Sequence, residues 1–180
     1  MALTSTIFNV GIDLADNDRA VYESLDLRVA RHPSETDEYL LTRVLAYALE
    51  CREGLEFAPG GLSDPDAPTI AARDLTGALQ AWVEIGWPDA ARLHRASKAS
   101  PRVAVYSHKD VGQWLARLAG ERIHRAETIE IWAVDQALLA ALVARLDRRM
   151  AFSLSVTDRE LFIAIGNDTF TGALTRHRLL

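Results

Sequence analysis

The 180-residue sequence contains a single cysteine, Cys51, which excludes an internal disulfide and any structural zinc site built on cysteine ligands. At the end of a helical stretch, Cys51 reads as a small semi-buried apolar side chain rather than a nucleophile. Long apolar runs are also missing. No segment approaches the roughly 18 uncharged residues a spanning helix needs, so no membrane segment is expected. Met1-Ala2-Leu3-Thr4 is not followed by a basic region and an apolar run, so no secretory leader is expected there. Together these absences point to a reducing cytoplasm. An excess of basic charge is lacking too: twenty Lys and Arg stand against twenty-five Asp and Glu, for a net charge of -5. That excludes a generalist nucleic-acid coat but leaves room for one local basic patch. There is no Gly-x-Gly-x-x-Gly, no phosphate-binding P-loop, no His-Glu-x-x-His and no Gly-x-Ser-x-Gly, which removes the usual dinucleotide, nucleotide, zinc-protease and esterase signals.

What is present is an ordinary globular balance, 49% hydrophobic and 25% charged, in a length suited to one domain over residues 1–180. Residues 6–14 alternate through Phe8, Val10, Ile12 and Leu14, and 21–30 through Leu25, Leu27 and Val29. Period two on both sides of Asp16-Asn17-Asp18 predicts an antiparallel pair with one wet face. A helix is expected over about 35–51, from the stripe Leu40, Leu41, Val44, Leu45, Ala48, with Ser34 as its N-cap and Gly54 at its exit. The glycine- and proline-rich 58–69 reads as a loop after a short strand at 55–57.

Further strands are predicted at 79–85, 103–106 and 127–134, and further helices at 89–99, 110–119 and 135–147. Residues 152–156 and 161–166 read as a closing hairpin through 157–160. Strands dominate both ends and alternate with helices between them. The expected fold class is therefore α/β, a central mixed sheet flanked by helices with antiparallel strand pairs at both ends.

Several segments carry a family resemblance: MALTSTIF at the start, LRVARHPSETDEYLLTRVLAYAL at 27–49, DLTG at 74–77, WVEIGWPD at 82–89 and RVAVY at 102–106. In order and spacing the chain resembles the YaeQ family. The resemblance implies a variant of the PD-(D/E)XK nuclease-like fold, a sheet flanked by helices that carries clustered acids and usually a lysine. It brings no settled activity. One departure is plain: the strand motif reads Glu84-Ile85-Gly86, with glycine where the lysine would stand.

On that frame the expected chemistry is magnesium-dependent phosphodiester hydrolysis. It needs two or three carboxylates converging at about 2.1 Å from a hard Mg2+ cation, which helps generate the nucleophile and offsets charge on the phosphate. Glu84, an acid in an otherwise apolar strand near its C-terminal end, is the first candidate for catalysis and metal binding. Asp74, opening DLTG, and Asp66, in Ser63-Asp64-Pro65-Asp66, compete to be the second ligand. Each also suits plain loop stabilisation. The resemblance also implies an acid from the first core helix that helps hold the metal, for which Glu38 is favoured slightly over Glu35, although acids at a helix start also simply suit the dipole.

Arg92, Arg95, Lys98, Arg102 and Lys109 fall close together in the chain with no acid among them. Helical spacing aligns Arg92, Arg95 and Lys98 in one stripe, a candidate contact for nucleic-acid phosphates. Lys98 or Arg95 could also supply the base missing at Gly86. Arg31, His32 and Ser34 cluster at a helix entry and could position an anion. The rival expectation is a non-catalytic domain that keeps the nuclease-like frame and binds nucleic acid or protein.

Overall fold

The computed structural model describes residues 4–59, 64 and 66–179. Of the loop expected over 58–69, residues 60–63 and 65 lie outside the described part. In chain order the elements are β1 (Thr6–Asp16), β2 (Val21–Arg31), α1 (Asp37–Leu49), β3 (Leu55–Phe57), β4 (Ile70–Arg73), β5 (Leu79–Ile85), α2 (Ala90–Ala99), β6 (Val103–Ser107), α3 (Gly112–Leu118), β7 (Glu130–Val134), α4 (Gln136–Val143), β8 (Arg149–Thr157), β9 (Glu160–Ile165) and β10 (Asp168–His177). A short 3-10 turn, Ala126–Thr128, precedes β7. The fold is mixed α/β, as expected. The chain divides into two compact units, one made of the chain through Leu49 with Val134–Thr175, the other of Glu50–Ala133 with the residues from Arg176 onward.

In the first unit the strands run in the order β2-β1-β8-β9-β10. β1 is antiparallel to β2 and parallel to β8, while β8, β9 and β10 form an antiparallel meander. The alternation read in β1 is real: Phe8, Val10, Ile12 and Leu14 are all buried, opposite Leu27 and Val29. α1 packs on this face beside α4. Leu40, Leu41, Leu45, Leu138, Leu139 and Leu142 are fully buried, each stabilising by about 1.5–3 kcal/mol relative to exposure.

The helix entry differs from the expectation. Thr36, not Ser34, caps α1: its Oγ1 accepts from the Tyr39 amide at 3.1 Å. The Ser34 hydroxyl is held instead by His32 Nδ1 at 2.7 Å, a local side-chain partner that competes with the helix amides. The β8–β9 hairpin turns through Asp158 and Arg159, both at positive φ, as a two-residue hairpin turn of the primed kind requires. Neither is glycine, and Asp18 makes up for this by accepting both their amides, at 2.7 and 2.9 Å. β10 was not anticipated, because Asp168, Thr169, Thr171, Thr175 and Arg176 blur its alternation.

In the second unit the order is β7-β6-β5-β4-β3. β5, β6 and β7 are parallel, and β4 and β3 continue antiparallel. β4 also escaped the sequence reading, being four residues long. Trp82, Leu93, Val105, Trp114, Leu118 and Ile131 form a common core that joins α2 and α3 to the sheet. Gly54, expected only to end a helix, sits at φ +76°, and a Cβ there would lie 1.9 Å from the Arg73 carbonyl oxygen. The backbones of the β3 and β4 ends approach too closely for any side chain.

Candidate functional site

β5 is the middle strand of its sheet and is buried from Ala81 to Ile85. Glu84, 3% exposed, is its one charged residue. Period two puts Trp82 on the same face, and its indole Nε1 donates to Glu84 Oε1 at 2.5 Å. Thr69 Oγ1 donates to Oε2 at 3.2 Å. The chain then turns at Gly86, φ +87°, and enters α2, where Asp89 accepts from the Arg92 amide as N-cap. This turn brings Arg92 back over the strand, its Nη2 2.8 Å from Glu84 Oε1. The same guanidinium donates to the Ala67 carbonyl at 2.8 Å and lies 5.9 Å from the Trp82 ring centroid. A buried carboxylate is costly unless paired and hydrogen-bonded. Glu84 has both.

Gly86 now has a physical reason. A lysine there would have to hold a left-handed backbone that side chains disfavour. The cation beside the strand acid comes from α2 instead, as Arg92.

The other expected site residues are placed as follows. Asp66 is exposed and pairs with Arg95 at 2.8 Å. Asp74 builds its own turn, accepting from the Thr76 and Ala78 amides at 2.9 and 3.0 Å and from Gln80 Nε2 at 3.0 Å. Its carboxyl is held below the ordinary range, first by the Thr76 hydroxyl and then by the Ala78 amide. Glu38 stands exposed in the first turn of α1. Glu35 is buried against Arg43 at 3.1 Å, and burial outweighs that pairing to raise its pKa. Arg31 bonds Asp37, and His32 bonds Ser34. Lys98 is exposed, and Lys109 lies 5.1 Å from the Trp87 ring centroid.

Arg102 faces inward. It grips buried Glu50 at 2.5 and 3.0 Å and bonds Glu130 as well. Tyr106 Oη donates to Glu50 at 2.6 Å, and Arg52 bonds it at 2.8 Å. Burial works against the Arg102 charge, but the Glu50 bonds and the charges of Glu50 and Glu130 raise its pKa above the ordinary value. Burial, then the Glu50 charge, raises the Tyr106 phenol well above its own. This Glu50 network was not anticipated from the sequence. The available signal was an acid just past the end of a helix, where the dipole disfavours it and a cation must answer.

Thr69 and Trp82 also went unassigned, since neither type points to a carboxylate clamp from sequence.

A hard cation needs open carboxylate oxygens converging from two or three residues. Among the described residues no three His, Cys, Asp or Glu side chains gather as a ligand set. Glu84 turns its oxygens to Arg92, Trp82 and Thr69 rather than to Asp66 or Asp74. As arranged, these residues do not fit magnesium.

On the α2 side the surface is basic. His94, Arg95, Lys98 and Arg122 line a cavity of about 530 Å3 with Glu121. A neighbouring cavity of about 380 Å3 lies between Trp87, Trp114 and Arg117. The Trp87 ring has Lys109 on one approach and Arg117, at 5.0 Å from the centroid, on another. Lys98 and Arg122 hold no ion pair among the described residues.

Fold and site thus define a mixed α/β protein with a strand carboxylate clamped by an arginine beside a basic helix surface. The chain belongs to the YaeQ family, whose model, described as YaeQ protein, matches residues 1–173. It is 29% identical over 166 residues to the "Uncharacterized protein YaeQ" of Escherichia coli K12, covering 91% of each chain. The protein of that name from Salmonella typhi is 29% identical over 176 residues, covering 97% of each. The crystal structure of the YaeQ protein from Xanthomonas axonopodis pv. citri matches with a TM-score of 0.87 at 31% identity, over 97% of this chain and 99% of that one. That from Pseudomonas syringae matches with a TM-score of 0.86, also at 31% identity, over 96% and 95%. No helix among the described residues is long and apolar enough to cross a membrane.

Proposed function

We propose that the protein is a non-catalytic, cytoplasmic nucleic-acid-binding domain on a nuclease-like frame. The observation that carries this is Arg92 at 2.8 Å from Glu84. In a nuclease-like site that acid would hold the metal, and here a cation of the protein already neutralises it. A second positive charge would be repelled by the guanidinium and would have to displace the indole and hydroxyl donors. The frame is supported by a sheet with α2 and α3 packed on it and an acid near the end of a parallel strand.

Binding is supported by the surface beyond that acid. Lys98, Arg122, Lys109 and Arg117 supply positive charge without the acids that occupy Arg92, Arg95 and Arg102. Trp87 lies among them, and bases stack on aromatic groups within positively charged grooves.

The test is fluorescence anisotropy with labelled single- and double-stranded DNA and RNA over a salt series, alongside a Mg2+ cleavage assay. Binding should weaken with salt. Lys98→Glu with Arg122→Glu should lower affinity across sequences and flatten the slope by about 0.7–0.9 for each phosphate that these side chains no longer neutralise. No binding, or an unchanged slope, would remove the nucleic-acid reading. Mg2+-dependent cleavage that disappears in Glu84→Gln would replace it with catalysis.

A further inference from the structure

The outer edge of the first unit's sheet is β2, eleven residues long, with β1 on one side and no strand on the other among the described residues. Long unpaired edges invite pairing, and proteins usually blunt them. Asn9 N donates to the Arg148 carbonyl, so odd residues of β1 face β8 and even ones face β2. By the β1–β2 register, odd residues of β2 bond to β1. The amides and carbonyls of Tyr22, Ser24, Asp26, Arg28 and Ala30 therefore point outward. Arg43 Nη2 donates to the Ala30 carbonyl at 2.7 Å and marks one end of the open row.

The side chains along this strand have a palindromic pattern. With a two-fold axis through Leu27 and two copies antiparallel, Asp26 lies opposite Arg28 of the second copy, and Arg28 opposite Asp26. Glu23 lies opposite Arg31, Leu25 opposite Val29 and Leu27 opposite Leu27. Ser24 meets Ala30, two small side chains. From Glu23 to Arg31 every charged residue thus faces one of opposite sign and every large apolar residue faces another, while Val21 and Tyr22 fall opposite Pro33 and His32, beyond the strand. Only even residues can exchange backbone bonds outward, and this register pairs even with even. Moving the axis one residue either way sets Asp26 against Asp26 or Arg28 against Arg28, which is destabilising.

Exposure on the two faces agrees. Asp26 and Arg28 lie on the wet face and are exposed, free to meet their counterparts, while on the core face Leu25 is partly exposed and Leu27 and Val29 are already buried within the chain.

We propose that β2 is a homotypic docking edge, and that two copies of this chain associate by antiparallel β2–β2 pairing centred on Leu27. A ladder this short buries less than a standard interface, so association is concentration-dependent.

Sedimentation equilibrium from low micromolar to near-millimolar protein tests this. The wild type should pass from monomer to dimer, and the Asp26 and Arg28 amides should exchange more slowly as concentration rises. Asp26→Arg alone and Arg28→Asp alone each replace two attractions with two repulsions, and should weaken the dimer by about 10- to 100-fold. Both sites are exposed, and circular dichroism checks that the variants fold. An equimolar mixture of the two variants should dimerise, because it restores opposite charges across the axis, and so should the double swap. A wild type monomeric throughout, a dimer indifferent to both reversals, or a mixture that stays monomeric would overturn the proposal.

Discussion

Glu84→Gln and Arg92→Met, made singly and together, separate a structural clamp from a metal site. Breaking a buried ion pair by removing one partner costs about 3–5 kcal/mol. Here the loss is smaller, because the Arg92 side chain is 22% exposed and Glu84 keeps the donors Thr69 and Trp82. Methionine also retains much of the aliphatic stem. Arg92→Met should therefore cost about 2–3 kcal/mol, lowering Tm by about 5–10 °C for a chain of this size. Glu84→Gln keeps one acceptor but loses the charge facing Arg92, so about 1–2 kcal/mol is expected. In the double variant no buried charge is left without a partner, and the cost should fall short of the sum by about 1 kcal/mol or more. Urea titration and thermal melts without divalent cations measure all three. A cluster of carboxylates built for a metal would behave oppositely, since without the cation it repels itself. Stabilisation by Glu84→Gln, or strict additivity, would refute the clamp.

The strands and helices were legible where one face is buried and the pattern is clean. β5 spans the residues its apolar run marks, and α2 begins at the Asp89 cap. β4 and β10 were not legible, the first for being too short to show a period and the second because threonines and charges interrupt it. The same limit decided the helix entry: Ser34 and Thr36 are both good caps by type, and only the position of the His32 ring separates them. At the site, residue types were readable and partners were not. Glu84 stands out because a buried strand rarely holds an acid. That Arg92, one turn into the next helix, would neutralise it depends on the turn at Gly86, whose handedness no composition reveals. Arg102 looked like part of a free basic run because its partners, Glu50 and Glu130, are far away in sequence. A run of basic residues without local acids thus says nothing about acids delivered by the fold.

Two further outcomes follow from the same geometry. Asp74→Ala should loosen the β4–β5 turn, seen as faster amide exchange at Thr76 and Ala78. Because the Asp74 carboxyl is held low, chiefly by Thr76, wild-type turn protection should be present above the unfolded carboxyl value of about 3.9 and be lost as pH falls through the lowered folded one; unchanged exchange would remove Asp74 from the turn. Tyr106→Phe probes the Glu50 network. It deletes a hydrogen bond to a buried carboxylate, so it should cost about 1.5–3 kcal/mol at neutral pH. Burial, then Glu50, raises the folded phenol above its unfolded value of about 10. A raised folded value means stability that is whole below the unfolded value and lost as pH rises toward the folded one. The wild type therefore loses this contribution above about pH 10, while the phenylalanine variant has none to lose. The remaining tyrosines titrate alike in both proteins and cancel. Urea midpoints measured from neutral to strongly alkaline pH should show the gap between the two proteins narrowing above about pH 10; a constant gap would mean that Tyr106 ionises as readily folded as unfolded, and that Glu50 is not the charge it faces.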